Sequence, residues 1–126
     1  MPARVMLVVR DVQASSRWYQ RLLGASSGHG GDQFEMVMRD GDIELMLHHS
    51  DVAEHPAIPD PAAGTPGGGV LLNIRDADVE GVYARAMELG ADLYDEPHVN
   101  PLSHQFEFSL RDPDGYAITI YRPSSV

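Results

Sequence analysis

The chain contains no cysteine, which removes disulfides, thiolate metal sites and cysteine nucleophiles in one step. Long apolar runs are also missing. Met1 leads almost directly into a strand-like run, so neither a signal peptide nor a membrane span is visible, and the cytoplasm is the expected location. Positive charge is scarce: 9 Lys and Arg stand against 19 Asp and Glu, for a formal net charge of -10. Phosphate backbones need clustered cations, so no nucleic-acid partner is expected, and no membrane partner either. The acidity is compatible with a cationic ligand, although it also serves solubility. A Gly-rich phosphate loop, a serine nucleophile elbow and a dinucleotide fingerprint are all absent, and no cofactor is expected. What remains is 126 residues, 43% hydrophobic, enough for one domain with a core of its own.

Within that domain the chain repeats itself. Gln33-Phe34-Glu35-Met36-Val37-Met38-Arg39-Asp40-Gly41-Asp42 returns as Gln105-Phe106-Glu107-Phe108-Ser109-Leu110-Arg111-Asp112-Pro113-Asp114. An earlier pair keeps the order, Val5-Met6-Leu7-Val8-Val9-Arg10-Asp11 against Val70-Leu71-Leu72-Asn73-Ile74-Arg75-Asp76. Each is followed by a helix-like stretch ending in Leu-Gly-Ala, at Leu23-Gly24-Ala25 and Leu89-Gly90-Ala91. Two copies of one supersecondary unit imply a pseudo-symmetric domain with a cleft where the halves meet.

Residues 4–10 read as a strand, with Val5, Leu7 and Val9 on one face and Arg4, Met6 and Val8 on the other. Asp11 is the expected N-cap of a helix whose stripe is Ala14, Trp18, Tyr19 and Leu22, and Gly24 its stop. A Gly-rich turn at residues 28–31 precedes an alternating strand through Phe34, Met36 and Met38. Asp40-Gly41 signals a hairpin into residues 43–48. In the second half, residues 70–74 form a strand, and Val79, Val82, Tyr83, Ala86 and Leu89 line a helix. Residues 93–97 suggest a short strand, and the strands through Phe106 and through residues 116–121 flank a turn at 112–115. The half-modules span about 3–49 and 69–122, joined by a Pro- and Gly-rich linker at 50–68.

Alternation also assigns faces. The more apolar set of each strand should pack on the helix, leaving the other to line what the halves enclose. The enclosed face then carries Arg4, Met6 and Val8, then Glu44, Met46 and His48, then Thr119 and Tyr121, with Glu35 and Glu107 from the paired central strands. Methionine and tyrosine suit a flat organic ligand, and the glutamates a cationic or hydrogen-donating one.

The ordered set Val8-Val9-Arg10-Asp11-Val12, Ser16-Arg17-Trp18-Tyr19, Leu22-Leu23-Gly24, Ile74-Arg75-Asp76, Leu89-Gly90-Ala91, Glu96-Pro97 and Arg111-Asp112-Pro113-Asp114-Gly115-Tyr116 resembles the vicinal oxygen chelate superfamily. That group includes glyoxalase I, extradiol dioxygenases, epimerases, and bleomycin and fosfomycin resistance proteins. The resemblance implies an α+β fold of two pseudo-symmetric βαβββ modules forming a curved mixed sheet around a cavity, usually in a homodimer. Catalytic members hold a divalent metal at four positions on the enclosed face, which align here with Arg4, Glu44, Gly69 and Thr119. Only Glu44 is a ligand type, and a catalytic divalent site normally needs about three protein ligands. No metal is therefore expected at the family's usual place.

The leading expectation is metal-independent binding of a planar, cationic or donor-rich small molecule, in the manner of the drug-sequestering members. The expected ligand-binding residues are Arg4, Glu35, Glu44, Met46, His48, His104, Glu107, Thr119 and Tyr121, with no catalytic residue assigned. The alternative is a lyase, isomerase or dioxygenase using a displaced metal site at Glu44, His48 and His104, or acid–base chemistry by Glu44 and His48. His29, His55 and His98 fall in loop-like surroundings and read as solvated.

Overall fold

The computed structural model describes residues 5–49 and 70–124. Arg4, Gly69, His55 and the 50–68 linker lie outside them. Two compact units, Met1–Gly64 and Thr65–Val126, make up the chain.

In the first unit, strand β1 (Met6–Val9) runs into Asp11, whose carboxylate accepts the Ala14 amide at 3.0 Å. This N-cap satisfies an orphan donor of helix α1 (Val12–Leu23), as the sequence predicts. Gly24 ends the helix at φ 64°, a left-handed cap that favours glycine. The chain continues through β2 (Ser26–Gly30), β3 (Phe34–Arg39) and β4 (Asp42–His49). The expected glycine-rich turn at 28–31 is instead largely strand β2, bulged between Ser27 and His29. At Gly28 the Met38 side chain occupies the space a Cβ would fill, so a larger residue there would displace it. Asp40 (φ 54°) and Gly41 (φ 82°) form the two-residue β3–β4 hairpin, the positive-φ pair that matches strand twist.

The sheet order is β1-β4-β3-β2, with β1 parallel to β4 and the other pairs antiparallel: a βαβββ module. One face is closed by α1. Leu7, Val9, Val37, Leu45 and Leu47 are buried with the helix residues Val12, Tyr19, Leu22 and Leu23. Each such burial contributes about 1.5–3 kcal/mol. The helix stripe differs from expectation: its buried residues are Val12, Ser15, Ser16, Tyr19, Leu22 and Leu23. Ala14 is exposed, and Trp18 is half-buried, set edge-on to Tyr19 with ring centroids 5.0 Å apart.

The second unit repeats the plan: β5 (Leu71–Arg75), α2 (Val79–Glu88), β6 (Asp92–Leu93), β7 (His98–Val99), β8 (Gln105–Arg111) and β9 (Ala117–Pro123). Its order, β5-β9-β8-β6 with β7 also on β8, matches that of the first unit. The strand corresponding to β2 is split into β6 and β7, both antiparallel to β8. Between the two pieces Asp95 turns its carboxylate onto the Ser109 amide at 2.8 Å. Leu72, Ile74, Val79, Val82, Ala86, Phe108, Leu110, Ile118 and Ile120 form the core. Arg122 clasps Glu80 in the first turn of α2, and that hydrogen bond above all holds the Glu80 carboxyl down to about 2. Each unit is thus α+β as predicted, and no helix among the described residues is long and apolar enough to cross a membrane.

Candidate functional site

In each unit one sheet face lies under the helix and the other, called the open face, carries no helix of that unit, although Thr119 on the second is only 3% exposed. In the first, the open face carries cross-strand rows fixed by register: Val8, His48 and Phe34, then Met6, Met46 and Met36. Phe34 and His48 meet edge-to-face with centroids 6.3 Å apart. His48 Nδ1 lies 3.1 Å from the His49 carbonyl. Beyond the methionine row, Glu44 stands half-buried with Arg39 Nη2 at 3.3 Å from its Oε1. Met46, His48 and Glu44 therefore share the face turned away from α1.

Glu35 does not. It is 3% exposed and lies on the helix side, where Gln13 Nε2 donates to its Oε1 at 3.0 Å. The same Gln13 amide donates to the Gly31 carbonyl at 2.7 Å, tying α1 to the turn after β2. The two repeated strings thus face opposite ways: Glu35 and Val37 are buried where Glu107 and Ser109 are not, and Phe108 and Leu110 where Met36 and Met38 are not. The cause is register. Glu35 pairs with Leu47 and Val37 with Leu45, and those leucines, with Leu7 beside Leu47, claim the helix. Strand β3 follows its partner, because a one-residue slip would turn every side chain over. The tight hairpin and an irregularity between Val37 and Met38 accommodate the shift. In the second unit a longer turn, held by the buried Asp112 carboxylate on the amides of Asp114 and Tyr116, sets the other phase.

The open face of the second unit is polar. His98, Glu107, Tyr121 and Arg75 stand side by side in one register row across β7, β8, β9 and β5. Asn100 Nδ2 lies 3.4 Å from Glu107 Oε2. The next row pairs Ser109 and Thr119 through their hydroxyls at 2.8 Å, with Asn73 alongside. Arg111 covers the Tyr94 ring, its guanidinium carbon 5.2 Å from the centroid. His104 sits outside these rows, exposed at φ 61° in the turn before β8.

His98 was not expected here. Two residues of strand after a proline carry no readable period, so only the pairing with β8 reveals that it stands beside Glu107. Its Nδ1 is 2.9 Å from the Glu96 carbonyl and 3.8 Å from Asp95 Oδ2. His29 likewise falls on a strand, β2, and not in a loop.

The donor set does not fit the divalent metal that the resemblance implies. Glu44 shares its carboxylate with Arg39, and Thr119 offers a hydroxyl already bonded to Ser109. Glu44 and His48 lie four residues apart on one strand, about 13 Å, too far to share an ion. Among the described residues no three His, Asp or Glu side chains come together as a metal site.

The family model for the Glyoxalase/Bleomycin resistance protein/Dioxygenase superfamily matches residues 2–120. No curated protein matches the chain. Among solved structures, a glyoxalase/bleomycin resistance protein/dioxygenase family enzyme from Burkholderia phytofirmans is 21% identical, over 94% of each chain, with a TM-score of 0.77. A glyoxalase-related enzyme from Fulvimarina pelagi is 18% identical over 96% of this chain and 86% of its own, with a TM-score of 0.76. A virulence protein from Salmonella typhimurium is 21% identical over 98% and 96%, with a TM-score of 0.70. At these identities the likeness is one of fold.

Proposed function

Because the chain belongs to the glyoxalase/bleomycin resistance protein/dioxygenase superfamily, we propose that it binds a planar small molecule without a divalent metal, as a sequestering member of that group. The observation that carries this reading is the state of Glu44. It is the only ligand-type residue at the aligned metal positions, and Arg39 is already on its carboxylate. A guanidinium on a carboxylate competes directly with a cation. Binding then rests on stacking, apolar burial and a few placed polar groups. Tyr121 and Glu107 supply these on the open face of the second unit. Glu107 is the carboxylate on that face that selects for positive charge.

Adding Ni²⁺, Zn²⁺ or Mn²⁺ should leave the melting temperature unchanged. A tight site at a thousandfold excess of ion over Kd would stabilise by roughly 4 kcal/mol. A dose-dependent rise in a thermal-shift titration that disappears in His48→Ala would sink the metal-free reading.

For organic ligands, planar cations such as acridinium dyes should bind better than planar anions. Glu107→Gln should weaken the cation and leave the fold intact, and Tyr121→Ala should weaken any planar ligand by about 1 kcal/mol. Calorimetry on the two variants checks both. If each binds like the parent protein, the open face of the second unit is not the ligand surface.

Edge strands β1 and β5 and the residues leading into them leave apolar side chains uncovered, Val5 at 39%, Val70 at 53% and Leu71 at 59% exposure. Open edges of this kind need a cover, and a twofold contact between copies is the commonest one. A homodimer is expected, with sedimentation at micromolar concentration as its check; a monomer there would remove a subunit-boundary site from the reading.

A second reading is metal-free acid–base chemistry, and its best support lies away from Glu44 and His48. His98, its Nδ1 oriented by the Glu96 carbonyl, stands beside Glu107 in the register of β7 and β8. Orientation of one imidazole nitrogen by a carbonyl is what sets the other up for proton transfer.

A further inference from the structure

Met6, Met46 and Met36 occupy one register row on three adjacent strands, Met6 opposite Met46 and Met46 opposite Met36. All three point away from α1, since the residues flanking them along the strands, Leu7, Leu45, Leu47, Glu35 and Val37, are the buried ones. Side chains directly opposite one another on the antiparallel pair β3–β4 have Cβ atoms about 4.5–5.5 Å apart, and the parallel neighbour β1 lies about 4.7–4.9 Å from β4. A methionine has three rotatable bonds and a polarisable sulfur, enough to bring thioethers from that spacing onto a common point. The row is also open: Met6 is 37% exposed, and Met46 and Met36 are half-buried. No carboxylate stands in it, and Glu44, the nearest along β4, is held by Arg39.

The chemistry of three neutral thioethers is selective. Mg²⁺, Ca²⁺ and Mn²⁺ require oxygen donors, whereas soft thioether ligands select Cu(I). We propose that this methionine row is a binding site for a soft monovalent cation, Cu(I) or its analogue Ag(I), with one sulfur from each of β1, β4 and β3. His48 borders the row two residues beyond Met46, where an imidazole extends the donor set without being required by it. Thioethers carry no proton, so a sulfur-only site takes up the ion without releasing one, unlike thiolate or imidazole sites. The absence of cysteine means that no thiol in the chain competes for the same ions. This site stands apart from the organic-ligand reading and does not depend on it.

The test uses the full chain labelled with [methyl-13C]methionine and titrated with Ag(I) under nitrate buffer. Met87, 58% exposed on α2 in the other unit, is the internal control. The methyl signals of Met6, Met36 and Met46 should shift together and saturate at one equivalent while Met87 stays still. Anaerobic competition with a chromophoric Cu(I) chelator should give a matching stoichiometry. Met46→Leu keeps apolar volume and removes the central sulfur. It should weaken Ag(I) roughly tenfold or more, since loss of a partner behind a metal ligand already costs that much. Met36→Leu and Met6→Leu serve the same purpose should Met46→Leu fail to fold, and Met87→Leu should bind like the parent. Absence of shifts at the row, parallel movement of Met87, or full affinity in the folded row variants would overturn the proposal and leave the methionines as an apolar wall. Glu107→Gln should leave Ag(I) uptake unchanged, so this site and the organic-ligand reading can fail separately.

Discussion

Phe108→Ala should destabilise the protein by about 3–5 kcal/mol, the range for a large aromatic removed from a packed core. Met36→Ala, at the matching place in the repeated string, should cost only about 1 kcal/mol, near the centre of the range for ordinary substitutions. Phe108 is fully buried and meets Tyr83 of α2 edge-to-face at 5.2 Å, whereas Met36 lies half-exposed on the face without a helix. Urea unfolding of the two variants reads the difference directly, as a change in midpoint at constant slope. Equal losses would mean that both strings face their helices in the same phase, and the inversion of Glu35 would fall with it.

That inversion marks where sequence reasoning stopped. The caps were legible because each is a local event: Asp11 before an apolar period and Gly24 after it leave little choice. The strands β4, β8 and β9 were legible because leucine, isoleucine and phenylalanine at every second position outweigh their partners. Strand β3 was not, because its two faces, Phe34, Met36 and Met38 against Glu35, Val37 and Arg39, point the wrong way by hydrophobicity alone. Its phase is decided by residues eight or more positions away in Leu45 and Leu47, and no window on β3 contains that information. Strand β2 was hidden by its glycines, which read as a turn until Met38 is seen lying over Gly28. His98 was hidden for a related reason: its significance is its neighbour on β8, not its own surroundings. Of the residues singled out from the sequence, Glu44, Met46 and His48 share the face of the first unit turned away from α1, and Glu107, Thr119 and Tyr121 the corresponding face of the second. The change is chemical. The first unit presents sulfur and aromatic surface where a further carboxylate was expected.

The displaced carboxylate leads to the second large effect. Glu35→Gln should stabilise the protein by about 1–3 kcal/mol, because it removes the extra desolvation cost that an uncompensated buried carboxylate carries over a neutral amide. One carboxylate oxygen, Oε1, receives the Gln13 amide, but Oε2 is buried and has no hydrogen-bond partner. No ion pair to Glu35 is present among the described residues, and burying an uncompensated charge is among the costliest arrangements in a core. Glutamine has nearly the same shape, keeps a carbonyl for Gln13 and removes the charge. Glu35→Ala separates the two contributions: it also removes the charge, but it leaves the Gln13 amide without that acceptor and opens a void beside Leu47. It should therefore fall below Glu35→Gln by about 1–3 kcal/mol. Thermal and urea unfolding of the pair test the argument together. If Glu35→Gln is instead less stable than the parent by more than about 1 kcal/mol, Oε2 has a donor after all, and a buried water bridging it to the backbone is the first candidate.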